Sequence, residues 1–126
     1  MPKARLTPAV VGGTAVGRGH GERSAERDRS ARAIGGRRDK VVLATKCGLR
    51  WNTEEGTDPW PNKTPDGEEV VVRKNSKADS IAYECEQSLE RLKTDVIDLF
   101  QVHWPDVSTP VEETIRALEK LRREGK

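Results

Sequence analysis

Aromatic side chains are scarce in this sequence: three tryptophans, one tyrosine and one phenylalanine make up 4% of its 126 residues. That leaves no interleaved rings on which nucleotide bases could stack, so no recognisable nucleic-acid module is present. Any chemistry that needs a phenol must use Tyr83, the single tyrosine. Cysteine is equally sparse. Cys47 and Cys85 show neither a CxxC nor a ladder spacing, so no disulfide framework is implied and a reducing cytosol is the natural compartment. With His20 and His103 they make no metal-ligand pattern. Long apolar runs are missing too. Met1 to Val16 lacks the apolar stretch of a signal peptide, and no run approaches the roughly 20 residues needed to cross a bilayer. Apolar residues make up 33% and charged residues 35%. A self-sufficient domain carries roughly 45–50% apolar residues on a count that includes glycine. The chain is long enough for one small domain, but a large core will be hard to bury alone, and a piece of a larger fold is expected.

The net charge of +2 conceals an uneven distribution. Residues 1–40 hold ten Lys/Arg against four Asp/Glu, which leaves thirteen of the 23 basic and seventeen of the 21 acidic residues to positions 41–126. Residues 1–39 are rich in Arg, Gly, Ala and Ser, without usable periodicity, and read as an irregular, disordered segment. The glycines of Gly17-Arg18-Gly19-His20-Gly21-Glu22 have the wrong spacing for a dinucleotide fingerprint, and no strand precedes them.

Residues 40–126 differ in kind. Val41-Val42-Leu43-Ala44-Thr45 is a short β-branched run, as expected for a strand buried on both faces of a parallel sheet. A loop rich in Gly, Pro, Asp and Asn then extends to about Lys74, and its length marks it as a candidate functional segment. Ser76 is the expected N-cap of a helix from about Lys77 to Lys93, with Ile81, Cys85, Leu89 and Leu92 on one apolar stripe. Val96 to Val102 reads as a second strand. Thr109-Pro110-Val111-Glu112 opens a second helix with Thr as N-cap, Pro at its first position and Glu reaching back. Ile115, Leu118 and Leu121 form its expected buried face, and Gly125 its end. The order strand, helix, strand, helix predicts parallel strands with right-handed crossovers, compatible with an open α/β sheet or with part of an eight-stranded barrel.

Lys46 directly follows the first strand and His103 the second. Each alone reads as a solvated charge or a hydrogen-bonded structural residue. Together, at the carboxyl ends of neighbouring parallel strands, they mark a candidate site. Tyr83 falls mid-helix and reads as a packing residue.

The string Val41-Val42-Leu43-Ala44-Thr45-Lys46-Cys47-Gly48 resembles the third barrel strand of the aldo/keto reductases. Ser88-Leu89-Glu90-Arg91-Leu92-Lys93-Thr94-Asp95, running on through Val96-Ile97-Asp98-Leu99-Phe100-Gln101-Val102-His103-Trp104, is similar to the family's next helix and fourth strand. Thr109 to Thr114, Leu118 and Arg123-Glu124-Gly125-Lys126 are similar to the helix after that. The resemblance covers roughly Arg37 to Lys126. It implies part of a (β/α)8 TIM barrel and an NADP(H)-linked reductase acting on a small aldehyde or ketone. It also implies that Lys46 and His103 are the lysine and histidine of a catalytic set that further contains an aspartate and a tyrosine. A phenol with an unperturbed pKa near ~10 is a weak acid at neutral pH, and a nearby ammonium eases its proton donation. The aspartate would hold the lysine, and the imidazole would orient the carbonyl. Trp51 and Trp104, just beyond the strand ends, are candidates to line the carbonyl pocket, with packing the alternative. A Schiff-base lysine at Lys46 is a third reading.

The sequence departs from the family pattern upstream. Where an Asp-Thr-Ala…Tyr-Gly stretch is expected, it reads Gly12-Gly13-Thr14-Ala15-Val16-Gly17. Arg18 to Glu22, in suitable codons read one base later, gives Val-Asp-Thr-Ala, and Glu26 to Ser30, run into Ala31, gives Ser-Glu-Ile-Gly-Arg. Residues up to about Ser30 are therefore expected to be partly an out-of-frame translation, although the shift yields no tyrosine from Ser24. A basic arm is the alternative. Lacking the aspartate, the tyrosine and the later cofactor-binding strands, the chain is expected to be inactive alone, or at most an interaction module.

Overall fold

The computed structural model describes Arg32, residues 34–63 and residues 67–126. The out-of-frame reading and the basic arm fall outside these residues. A 3-10 turn, Arg38–Lys40, leads into β1 (Ala44–Cys47), β2 (Leu49–Arg50), β3 (Thr57–Lys63) and β4 (Glu69–Lys74). Helix α1 (Ala78–Leu92), strand β5 (Leu99–Val102) and helix α2 (Val111–Arg123) follow.

Strands β1 and β5 pair in parallel, with Ala44 opposite Leu99, Lys46 opposite Gln101 and Cys47 opposite Val102. The expected first strand lies three residues early. Asp98 explains the shift: its carboxylate takes the Leu43 N–H at 2.8 Å, a donor an edge ladder would otherwise use, so regular pairing begins only at Ala44. Arg38 completes this staple, binding the Asp98 carboxylate at 2.8 Å and the Val96 carbonyl at 2.7 Å.

Side chains alternate across a strand. Cys47, Phe100 and Val102 therefore face α1 and α2, and join Ile34, Leu43, Ile81, Cys85, Leu89, Ile97, Ala117 and Leu121 in the core. Leu43 and Ile81 are fully buried, each contributing about 1.5–3 kcal/mol relative to exposure. The other face, with Lys46, Leu99 and Gln101, is open. The first strand is thus not covered on both sides as its sequence predicts.

The expected long loop is a second sheet. Its order is β2–β4–β3, antiparallel, with Leu49 opposite Lys74 and Trp60 opposite Val72. Pro59 and Pro61 are tolerated because β3 is an edge strand, where a missing N–H interrupts no ladder. Gly48, at φ +96, turns β1 into β2 in a conformation that L side chains rarely adopt. Gly56 lets the loop approach β4: a Cβ there would stand 2.4 Å from the Lys74 carbonyl oxygen.

Both expected side-chain caps are replaced. Ser76 does not cap α1; the Ala78 N–H is instead bound at 3.0 Å by the Glu113 carboxylate from α2. The Thr109 hydroxyl goes to Asp106, Pro110 stands at the cap, and Val111 opens α2. Lys93, at φ 51, ends α1, and Gly125, at φ 77, ends α2 as its sequence position predicts. Thr114, Ala117 and Leu121 form the buried face of α2, with Leu118 partly buried. Ile115 is 57% exposed and continues an apolar stripe from Val111, contrary to its expected burial.

Candidate active site

The parallel register brings two of the four candidate residues together. Lys46 pairs with Gln101, and His103 follows two residues on, so the three side chains share the open face of the ladder. One further bond extends the ladder, the His103 N–H donating to the Cys47 carbonyl at 2.8 Å. Lys46 is exposed and His103 half-buried. Burial, and then the charge of Lys46, lower the His103 pKa, which favours the neutral imidazole. Its Nδ1 is buried and meets no hydrogen-bond partner among the described residues.

Trp104 joins this pair. Its ring stacks on His103 with centroids 5.4 Å apart and planes 25° apart, and Lys74 Nζ lies 5.8 Å from its centroid. Trp51 sits directly after β2, half-buried. Of the two tryptophans, Trp104 is the one stacked on a candidate catalytic ring. Tyr83 lies mid-helix on α1, 42% exposed, with the Arg50 guanidinium packed 4.2 Å from its ring centroid and the Asn52 amide donating to its hydroxyl at 3.0 Å.

Two carboxylates at this end of the ladder escape the sequence reading. Glu84, from α1, accepts the Gly48 N–H at 2.7 Å, two residues beyond Lys46. Burial raises its carboxyl to about 7, against the pull of the Gly48 and Leu49 N–H groups and of Arg50. Burial, and then Glu84, push the Cys47 thiol well up, which makes it a packing group rather than a nucleophile. The second is Asp106. Burial alone would raise it, but hydrogen bonds from Ser108, Ser76 and Thr109 hold it well below the usual carboxylate range. A cue for Asp106 is present in Asp106-Val107-Ser108-Thr109, a run of turn-forming side chains. Glu84 has none: a carboxylate one position from a helix stripe usually faces water.

Neither described helix N-terminus is free to hold a pyrophosphate, which commonly binds the N–H groups there. Here the α1 N-terminus already holds the Glu113 carboxylate and carries Asp79 in its first turn, and α2 carries Glu112 and Glu113 in its own. Fixed negative charge at both ends repels phosphate. Lys74 is engaged by Asp58 at 2.8 Å.

The sequence profile of the aldo/keto reductase family matches residues 21–126. The chain belongs to this family. An aldo-keto reductase of Bacillus subtilis, YhdN, is 41% identical over 91 residues, covering 72% of this chain and 23% of its own length. The NADH-specific methylglyoxal reductase of Escherichia coli is 38% identical over 92 residues, covering 71% and 26%. Among solved structures, a glycerol dehydrogenase from Gluconobacter oxydans superposes with a TM-score of 0.62 at 35% identity, over 82% of this chain and 28% of its own. An aldo-keto reductase from Klebsiella pneumoniae in complex with NADPH gives 0.54 at 31% identity, over 82% and 28%. The chain thus spans about a quarter of the length of these aldo/keto reductases. The structural relatives are (β/α)8 barrels, which decides between the open sheet and the barrel: β1, α1, β5 and α2 are consecutive barrel elements. Among the described residues no helix is long and apolar enough to cross a membrane.

Proposed function

We propose that residues 40–126 supply the lysine and histidine of an NADP(H)-linked aldo/keto reductase site acting on a small aldehyde or ketone. The observation that carries it is the shared open face of Lys46 and His103 at adjoining strand ends. The Lys46 ammonium is available to favour the ionised form of a phenol supplied from outside this region. A neutral His103 can donate one hydrogen bond to a carbonyl oxygen without competing for the proton. Trp104 gives that carbonyl an apolar wall. Within residues 40–126 the only phenol, Tyr83, is occupied on the outer helix, and neither helix N-terminus offers a dinucleotide a phosphate site. The chain by itself is therefore inactive, and hydride transfer belongs to the whole barrel. The two buried free thiols suit a reducing cytosol.

The test is a graft of residues 40–126 into the matching region of the Bacillus subtilis relative. The hybrid should reduce a carbonyl with NADPH, and Lys46→Met should lower its kcat by roughly 10²–10⁴-fold, the usual scale of acid–base assistance. The isolated chain should consume no NADPH. A correctly folded but inactive graft would refute the assignment of Lys46 and His103. Turnover by the isolated chain would refute its inactivity.

A further inference from the structure

We propose that Asp106 is the positioning residue for His103 and Trp104: its carboxylate fastens the β2–β4–β3 sheet and the entry to α1 onto the loop that continues from their strand. This rests on the reading of His103 as a catalytic group. Asp106 is 6% exposed and accepts five hydrogen bonds. Its Oδ1 receives the Thr57 hydroxyl at 2.9 Å, the Ser108 N–H at 3.0 Å and the Ser108 hydroxyl at 2.7 Å. Its Oδ2 receives the Ser76 N–H at 2.9 Å and the Thr109 hydroxyl at 2.8 Å.

Ser108 and Thr109 would suffice to close a local turn. Thr57 and Ser76 stand 49 and 30 residues away in the chain, at the start of β3 and at the junction of β4 with α1. A carboxylate that gathers both ties two sheets together at one point. The consequence reaches the site through contacts already described. The sheet so held presents Lys74 to the Trp104 ring, and Trp104 stacks on His103. The same junction closes over Gly48, where an added Cβ would lie 3.6 Å from Ser76 Oγ and 3.8 Å from the Trp104 carbonyl oxygen. Five donors also keep Asp106 ionised despite its burial, so the latch does not slacken across the neutral range.

The experiment uses the full 126-residue chain, labelled with 5-fluorotryptophan. The Trp104 fluorine resonance is assigned with Trp104→Phe, and the His103 imidazole titration is followed by proton NMR with His20→Gln to remove the second histidine. Thr57→Val keeps the β-branched shape of its side chain and deletes only its hydroxyl donor; Asp106→Asn removes the charge. Both variants should displace the Trp104 resonance and move the His103 midpoint upward, towards the free-imidazole value of ~6.5, as the ring gains water. Variants that melt earlier yet leave both signals unchanged would overturn the proposal, since Asp106 would then stabilise the loop without orienting the site. If Asp106→Asn fails to fold, Thr57→Val decides alone. Neither signal depends on turnover, so failure of the reductase reading shows separately, in the graft.

Discussion

The two ends of the β1–β5 ladder are both pinned by carboxylates, but in contrasting ways. At the amino end, Asp98 and Arg38 form a half-exposed staple whose bonds all stay near the ladder, at Leu43, Thr94 and Val96. At the carboxyl end, Asp106 and Glu84 reach into other elements: the second sheet, the entry to α1 and the turn after Lys46. In parallel barrels the carboxyl end carries chemistry and the opposite end carries stability. This ladder adds a structural reason. The end that must hold side chains in place is tied to distant parts of the chain, whereas the other needs only to stop fraying.

That contrast can be broken at either end. Asp106→Ala should have the largest effect, because it strands two backbone N–H groups and three hydroxyls. A loss of about 3–5 kcal/mol is expected from urea unfolding. Next comes the pH dependence set by Glu84. Its carboxyl is pushed up to about 7 in the fold, against an ordinary value of 4.5. Between those values the folded state holds a proton that the unfolded state has released. The contribution of Glu84 is therefore fully present below pH 4.5, falls as pH rises to about 7, and is flat above, a change on the order of 3 kcal/mol. Glu84→Gln should abolish that slope in urea titrations run at several pH values. Arg38→Ala, at the amino end, should cost about 1–2 kcal/mol and leave the His103 titration where it was; a shifted midpoint would erase the distinction between the ends. Glu119 pairs with Arg122 and Arg123 on the outside of α2, and Glu119→Ala should leave the urea midpoint unchanged.

The parallel elements were legible because their signals are local. Ile81, Cys85 and Leu89 recur at helical spacing and are buried, and Gly125 ends α2 where its sequence position indicates. His103 follows β5 as its position indicates, whereas Lys46, expected directly after the first strand, lies inside β1 opposite Gln101. The second sheet was not legible, although Val70-Val71-Val72 is a β-branched run, because Pro59, Pro61 and Gly67 in its surroundings read as loop. Its pairing depends on sheet order, which periodicity does not report. Helix caps misled for a related reason. Ser76 and Thr109 have the right chemistry, but each lies one residue early: Lys77 and Pro110 stand at the caps, the Thr109 hydroxyl goes to Asp106, and Glu113 takes over the capping of α1. Ile115 is spaced for burial, yet it is more than half exposed.

The short pairing of β2 with β4 has a consequence for how the chain reaches this arrangement. Leu49 meets Lys74, Arg50 meets Arg73, and the Asn75 N–H closes onto the Gly48 carbonyl at 3.0 Å. Once this clip forms, the segment still to be searched before β5 finds β1 runs only from Asn75 to Leu99, and most of it is already α1. Halving a loop lowers its closure cost by about 0.6 kcal/mol, so a β2–β4 clip that zips first makes the later, long-range parallel pairing faster to find.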